Sequence, residues 1–429
     1  LKKLPENVKM MTSEKIKALF SINSKYFRQH MSNLKNVRFI FHDNLSIFMK
    51  KFIDYKKIHG TSSEKKIYTK HFSVSDLVER LIKCRPYYFY LPSNHTSMSL
   101  LKTRSYENIQ NSYEDMLKYM TYDEVAISAL MSCGGPTIYL NDVDRYNKGN
   151  LMLTEDSDSL SNFSLNPTTH EHDGIFIGCI GPRNEKENQM ERKFIIITKE
   201  QNTQENGYGK HPITNNNTSK KNYTRKRELL KIWANLYNGE SYFPTFAEVN
   251  SLGDNDRYVK TAPTEYVDKY LYKRRMKFTI IPLLEHANKL AFKSGKQAYL
   301  RIVGFGLGAW IMYKTQNYDY LVVFNEILNA NKYENISNIE FIWLQESQKQ
   351  YIEISGEFPE NINGISISFS KNKPASLLEP EHKDKLLVST YAWDGNAVPG
   401  NEYWNNKLAG SGDPAAVAGS TIGITHNPY

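Results

Sequence analysis

Cysteine is scarce in this chain. Cys84, Cys133 and Cys179 are three in 429 residues, an odd number, and no CxxC occurs. That argues against a disulfide framework and a cysteine zinc site, and it makes a reducing compartment the expected home. Long apolar runs are missing too. FTIIPLL (278–284) and FIIIT (194–198) are among the longest, far short of the ~18 residues a membrane-spanning helix needs. The sequence has no GxSxG elbow, no kinase signature, no Walker lysine and no internal repeat. It opens on Leu1 rather than Met, so an N-terminal signal cannot be judged.

What is present is globular in character. Hydrophobic residues make up 40%, charged residues 24% and aromatic residues 13%. These values exclude wholesale disorder, a collagen repeat and a coiled-coil rod. At ~150 residues per domain the length allows two or three domains. The net charge of +9 is uneven. Residues 1–60 hold 13 Lys+Arg and 4 Asp+Glu, and the rest holds 42 of each. The body is therefore balanced, unlike most nucleic-acid enzymes, which carry a basic catalytic face. No nucleic-acid partner is expected. The basic segment reads as a solvated helical face, or as a docking surface for anionic lipid or an acidic protein.

Residues 1–133 read as a helical, basic N-terminal region, with apolar spacing near 3.6 in 14–22, 75–83 and 112–132. Ser75 is the expected cap of the second. Cys133-Gly134-Gly135-Pro136 reads as a breaker. Residues 134–429 then read as an α/β domain. Strands are expected at 137–142, 174–181, 193–199, 298–304, 339–344, 364–370 and 385–393. Helices are expected at 225–238, 265–294 and 320–330, with Pro282 kinking or dividing the second. Strands separated by helices give a parallel or mixed sheet flanked by helices, whose ligands bind beyond the carboxyl ends of the strands.

Four constellations follow strands. The densest is YAWDGNAVPGNEYW (391–404) with SGDPAA (411–416). Asp394, Glu402 and Asp413 are three carboxylates among Gly395, Gly400, Gly410 and Gly412, flanked by Trp393, Tyr403 and Trp404. Glycines let a main chain approach phosphates, and Asn396 and Asn401 can bond ribose hydroxyls. The bland alternatives are a turn at Asp394 and a helix cap at Asp413 before Pro414. The second is Gly304-Phe305-Gly306-Leu307-Gly308, where phosphate cradling and tight packing are equally open. The third is Asn141-Asp142-Val143-Asp144-Arg145, a sugar or base site or, more simply, a local ion pair. The fourth is polar: Gly181-Pro182-Arg183-Asn184-Glu185 with Met190-Glu191, then 201–209. His170 and His172 form an HxH without a locatable third ligand, so no metal is assigned.

Taken together, YAWDGNAVPGNEYW and SGDPAA resemble the C-terminal signature of the macrodomain-like ADP-ribosyl hydrolases, the family that includes the Legionella effector MavL and distant relatives of poly(ADP-ribose) glycohydrolase. TIYLNDVDRYNKG (137–149), GIFIGCIGPRNEKENQMER (174–192), QNTQENGYG (201–209) and AYLRIVGFGLGAW (298–310) follow in the family's order. The resemblance covers roughly 137–428 and leaves 1–130 unmatched. It implies a macrodomain-like fold and a hydrolase that removes ADP-ribose from a protein side chain, arginine above all. It further implies a secreted bacterial effector acting in the host cytoplasm.

By position it makes Asp394, Glu402 and Asp413 the catalytic acids. Asn141, Asp142, Gly304, Phe305, Gly306, Gly308, Gly395, Asn396, Gly400, Asn401 and Gly412 become the ligand-binding set. Glu402 stands where MavL-like proteins carry an aspartate, which moves the carboxylate by about a bond length. The chemistry suits carboxylates, because one can stabilise an oxocarbenium ion while another activates water, and it needs no metal or cofactor. Two rivals use the same sequence: a reader that binds ADP-ribose without hydrolysis, and a host-interaction module.

Overall fold

The computed structural model describes residues 24–82, 106–144, 152, 168–184, 186–213, 220–308 and 310–392. The expected helix at 14–22 lies outside them. The described strands are β1 (Arg38–Ile40), β2 (Ser132–Ile138), β3 (Asp173–Cys179), β4 (Ile196–Thr198), β5 (Tyr258–Ala262), β6 (Glu265–Asp268), β7 (Ala298–Ile302), β8 (Ile336–Ile342), β9 (Asn361–Ile362), β10 (Ile365–Ser370) and β11 (Leu386–Ala392). Eight form one mixed sheet in the order β1-β2-β3-β11-β7-β8-β10-β9, and β4-β6-β5 form a small antiparallel sheet. Within the large sheet β3, β11, β7, β8 and β10 are mutually parallel. Every residue of β7 is buried, as expected of a parallel strand covered on both faces.

The principal helices are α1 (Ser24–Leu34), α2 (Asp43–His59), α3 (Ser62–Ile67), α4 (Val74–Ile82), α5 (Tyr113–Lys118), α6 (Tyr122–Ser128), α7 (Lys220–Asn238), α8 (Phe246–Leu252), α9 (Lys269–Ser294), α10 (Gln316–Ala330) and α11 (Gln345–Ser355). No described helix is long and apolar enough to cross a membrane. Phe48 of α2, Trp233 of α7, Leu271 and Leu284 of α9, and Leu300 and Ile302 of β7 belong to one hydrophobic cluster. Tyr299 points to the opposite face, into a smaller cluster with Phe176, Leu387 and Tyr391. A strap, residues 371–378, crosses that second face. Arg301 binds its carbonyls at Lys373 (3.2 Å) and Leu377 (3.3 Å) while Arg301 Nε pairs with Glu340 at 2.8 Å.

Several expectations are corrected. The 112–132 helix is two short ones, α5 and α6, because a capping box of Thr121 and Glu124 starts the second afresh. The Cys133-Gly134-Gly135-Pro136 breaker lies inside β2. Its glycines are demanded by packing: a Cβ on Gly135 would sit 2.7 Å from Val37 Cα, and one on Gly134 2.9 Å from Ile177. Pro136 is tolerated since β1 reaches only Gly134, so no β1 residue lies opposite it. Residues 193–199 begin as a helical turn, Arg192–Ile195, before β4. Residues 265–268 are β6, and Asp268 then caps α9, which runs through Pro282 undivided. The cap of α4 is Ser73, which exchanges bonds with Asp76, rather than Ser75.

Buried charges bind the early helices to the body. Lys56 Nζ meets Glu64 Oε1 at 2.5 Å and Asp123 Oδ2 at 3.1 Å; Lys193 takes Asp123 Oδ1 at 2.9 Å, and Arg225 of α7 takes Glu64 Oε2 at 2.7 Å. Glu124, fully buried, accepts from Arg80 (2.6 Å), Tyr68 (2.5 Å) and the Thr121 N–H (2.7 Å). Burial alone would raise its pKa; the Arg80 charge and these bonds outweigh burial and lower it from 4.5 to about 2. A depressed carboxylate contributes stability that is complete above its unfolded pKa and is lost as pH falls through the folded one. Unfolding free energy is therefore expected to decline between pH 4.5 and 2 by on the order of 3 kcal/mol from this group. Urea titrations of Glu124→Gln should lack that share of the slope; an unchanged slope contradicts the assignment.

Candidate functional site

The carboxyl ends of β3, β11 and β7 lie side by side. The β3–β11 ladder runs to Cys179 and Ala392, whereas the β11–β7 ladder ends at Ser389 and Arg301. Beyond that point the Thr390 hydroxyl takes over, accepting from Val303 N (3.1 Å) and donating to Arg301 O (2.9 Å). Loops 180–184 and 303–313 leave this edge.

One buried ion pair fixes the first loop. Arg275 of α9 and Glu191 are both 0% exposed, and Arg275 Nε bonds Glu191 Oε1. Arg275 Nη2 reaches the carbonyls of Ala129 (2.7 Å), Ile180 (3.1 Å) and Gly181 (3.2 Å), and Nη1 reaches Thr279 Oγ1 (2.7 Å). Glu191 also accepts from the Arg183 N–H (2.7 Å) and the Tyr237 hydroxyl (2.8 Å). A buried irregular backbone must have its polar groups satisfied, and this pair satisfies both ends of the turn. Asn188 and Met190, on the same loop, have φ of +57° and +48°. Such values in non-glycine residues are uncommon and cluster at functional sites.

The second loop crosses the first backbone to backbone. A Cβ on Gly181 would lie 2.5 Å from Gly306 N and Cα, and Gly306 has φ +73°. Both positions need glycine for close approach, the second also for its conformation. Gln316, fully buried at the start of α10, accepts from Met312 N (2.7 Å) and donates to Gly306 O (3.3 Å). The Tyr320 hydroxyl donates to Val303 O at 2.7 Å. Asp319 accepts from the Tyr313 hydroxyl at the loop's end (2.9 Å) and pairs with Lys269 (3.4 Å). Burial raises the Asp319 carboxyl above its ordinary range, against the pull of Lys269 and Tyr313. The guanidinium of buried Arg183 lies 5.2 Å from the centre of the partly exposed Trp310 ring.

Of the sequence-derived residues, Gly304 and Gly306 stand in this crossing, and a Cβ on Gly304 would press on Leu307 and Leu344 at 3.1 Å. Gly308 is exposed with open space beside it. The Phe305 ring is in the core against Tyr320, so only its main chain can meet a ligand. Asn141 and Asp142 are buried and form successive Asx turns, to Val143 N (2.7 Å) and Asp144 N (3.1 Å). Their described neighbour is the strap: Lys373 pairs with Asp142 (2.7 Å) and Asp144 (3.3 Å). These carboxylates therefore pair with a lysine distant in sequence; Arg145, the cation of the expected local pair, lies outside the described residues. Asp394, Gly395, Asn396, Gly400, Asn401, Glu402, Gly412 and Asp413 lie outside the described residues; the first is two residues beyond Ala392 in sequence.

Sequence reasoning noticed the polar run 181–191 but missed Arg275, which reads as surface charge in YKRRMK. The available signal was an arginine at helical spacing from Leu271, Phe278 and Thr279, on the face of the helix that is buried rather than on its lysine face. Cys133 and Cys179 are buried thiols that burial pushes up to about 12, so they stay protonated. No described group of three His, Cys, Asp or Glu could hold a metal. A groove of about 190 Å³ between α2 and α7 has Lys51 as its only ionisable wall, and Lys51 is engaged by Asn235 at 2.9 Å. It offers no chemistry.

A profile described as ADP-ribosylhydrolase MavL-like matches residues 10–429. Among curated relatives, the Drosophila melanogaster protein named ADP-ribosylarginine hydrolase CG3568 is 30% identical over 91% of this chain and 74% of its own length. A second fly protein, ADP-ribosylarginine hydrolase CG2909, is 29% identical over 96% of this chain and 81% of its own. The chain belongs to the MavL-like ADP-ribosylhydrolase family and is a hydrolase of ADP-ribosyl groups.

Truncating Arg275 to Met should leave Glu191 charged, buried and unpaired, at a cost of ~3–5 kcal/mol. The Arg275→Met/Glu191→Gln double variant should recover much of that loss in urea unfolding. Additive losses would show that the two side chains act independently.

Proposed function

We propose that the chain hydrolyses the N-glycosidic bond between ADP-ribose and an arginine side chain of a modified protein. The observation that carries this is the match to two relatives, each named for ADP-ribosylarginine, over at least 91% of the chain. It is supported by the glycine turn 304–308, exposed at Gly308 and partly exposed at Gly304 and Gly306, at the carboxyl edge of parallel strands, where such folds bind ligands. We also read the mixed sheet with its covering helices as macrodomain-like; the five-strand parallel core supports that reading.

In this proposal Gly304–Gly308 and Gly400–Asn401 hold the diphosphate. Asp394 and Glu402 hold the terminal ribose and the departing guanidinium, and Asp413 orients the water. As the C–N bond breaks, its electron pair goes to the guanidinium nitrogen, which leaves as neutral guanidine. Positive charge builds on the anomeric carbon and ring oxygen, where a carboxylate stabilises it. Water forms the new C–O bond, and its proton passes through a carboxylate to the guanidine. Crowded carboxylates push one pKa upward, so identical residue types can supply an acid and a base.

The setting is a separate proposal. The family's Legionella member supports a secreted effector acting in a host cytoplasm.

The test is release of free ADP-ribose from an arginine-ADP-ribosylated protein. Losing one acid–base group typically costs ~10²–10⁴-fold, so Asp394→Ala/Glu402→Ala should fall by at least ~10³-fold. Equal release by wild type and double variant would reject the reading.

A further inference from the structure

We infer that Asn184 is a specificity-determining residue of this site, its side-chain oxygen accepting a hydrogen bond from a hydroxyl of the terminal ribose. The inference rests on the ADP-ribose reading above and deepens it.

Asn184 is only 6% exposed. Its Nδ2 donates to Pro182 O at 3.2 Å. A backbone carbonyl can only accept, so the amino half of the amide must face Pro182, and this fixes the orientation of the group. Oδ1 then points the other way, and no described group donates to it. A buried acceptor without a donor costs ~1–3 kcal/mol, and native proteins leave few of them.

The oxygen is also held still. Gly181 O is bound by Arg275 and Arg183 N by Glu191, so the backbone on both sides of Pro182 is anchored. An acceptor fixed in this way at a strand's carboxyl edge is ready for a donor from outside the protein.

Chemistry narrows the donor. The diphosphate oxygens of ADP-ribose only accept, so they cannot satisfy Oδ1. A guanidinium is better matched by carboxylates than by a neutral amide. Hydroxyls and the adenine amino group remain. The loop that carries Asn184 starts where Cys179 pairs with Ala392, the last described residue of β11. β11 is the strand that leads into the acidic segment, so the terminal ribose is the nearer of the two.

Two variants separate the halves of the amide. Asn184→Ser keeps a donor for Pro182 O, but its one oxygen lies a bond nearer the main chain and no longer stands where Oδ1 does; Asn184→Asp keeps an acceptor there and loses the donor. Calorimetry of the full chain would measure ADP-ribose and ADP with wild type and both variants. The expected result is an ADP-ribose preference over ADP that drops ~10-fold in Asn184→Ser, the size of one neutral hydrogen bond. In Asn184→Asp the preference should persist. An unchanged ratio in Asn184→Ser, or an equal drop in both variants, overturns the inference. Wild type that fails to bind ADP-ribose at all would instead overturn the functional reading on which it rests.

Discussion

A guanidinium removed from water has to place its donors on protein groups, and Arg275 does so at the point where the site loops begin. Its partner Glu191 neutralises the charge and accepts from the Arg183 N–H, while Arg275 itself holds the Ile180 and Gly181 carbonyls. The turn after β3 therefore has one allowed shape. Gly306 can lie against Gly181 only because that shape is fixed, and Gln316 and Tyr320 then hold the second loop from below. Removing the pair would release both loops together, since each is packed on the other.

The same device recurs on the opposite face. Arg301 pairs with Glu340 and holds the strap carbonyls, as Arg275 does for the loop at 180–181. In both cases irregular backbone lies over a parallel sheet, and an arginine supplies the donors that a ladder would otherwise provide. The early helices are tied in through Asp123. Lys193, which binds it, is two residues after Glu191. Order in the helices before β2 and order in the site loop are thus linked by a short run of chain.

Much of the fold was legible where the signal was local. β3, β7, β8, β10 and β11 are short β-branched runs bounded by turn residues, and α4, α7, α9 and α10 carry helical periodicity. What was hidden depends on distant partners. β2 contains two glycines and a proline, and only the closeness of Val37 and Ile177 explains them. β1 and β9 are too short to show a period. In the candidate site, the glycine turn was found from composition, yet nothing local shows that Gly306 serves the crossing with Gly181. Arg275 was illegible because a paired, buried arginine looks the same in sequence as a solvated one. The acidic segment that carries the resemblance lies outside the described residues, so its roles stand on the family and the chemistry alone.

The account thus comes down to a ligand placed over a crossing of two glycine loops beside the end of β11. A crystal structure of the chain with ADP-ribose tests this most directly. The account predicts the diphosphate against the main chain of 304–308, with the terminal ribose between Asn184 and Asp394. A ligand seated elsewhere, for instance in the groove between α2 and α7, would contradict it.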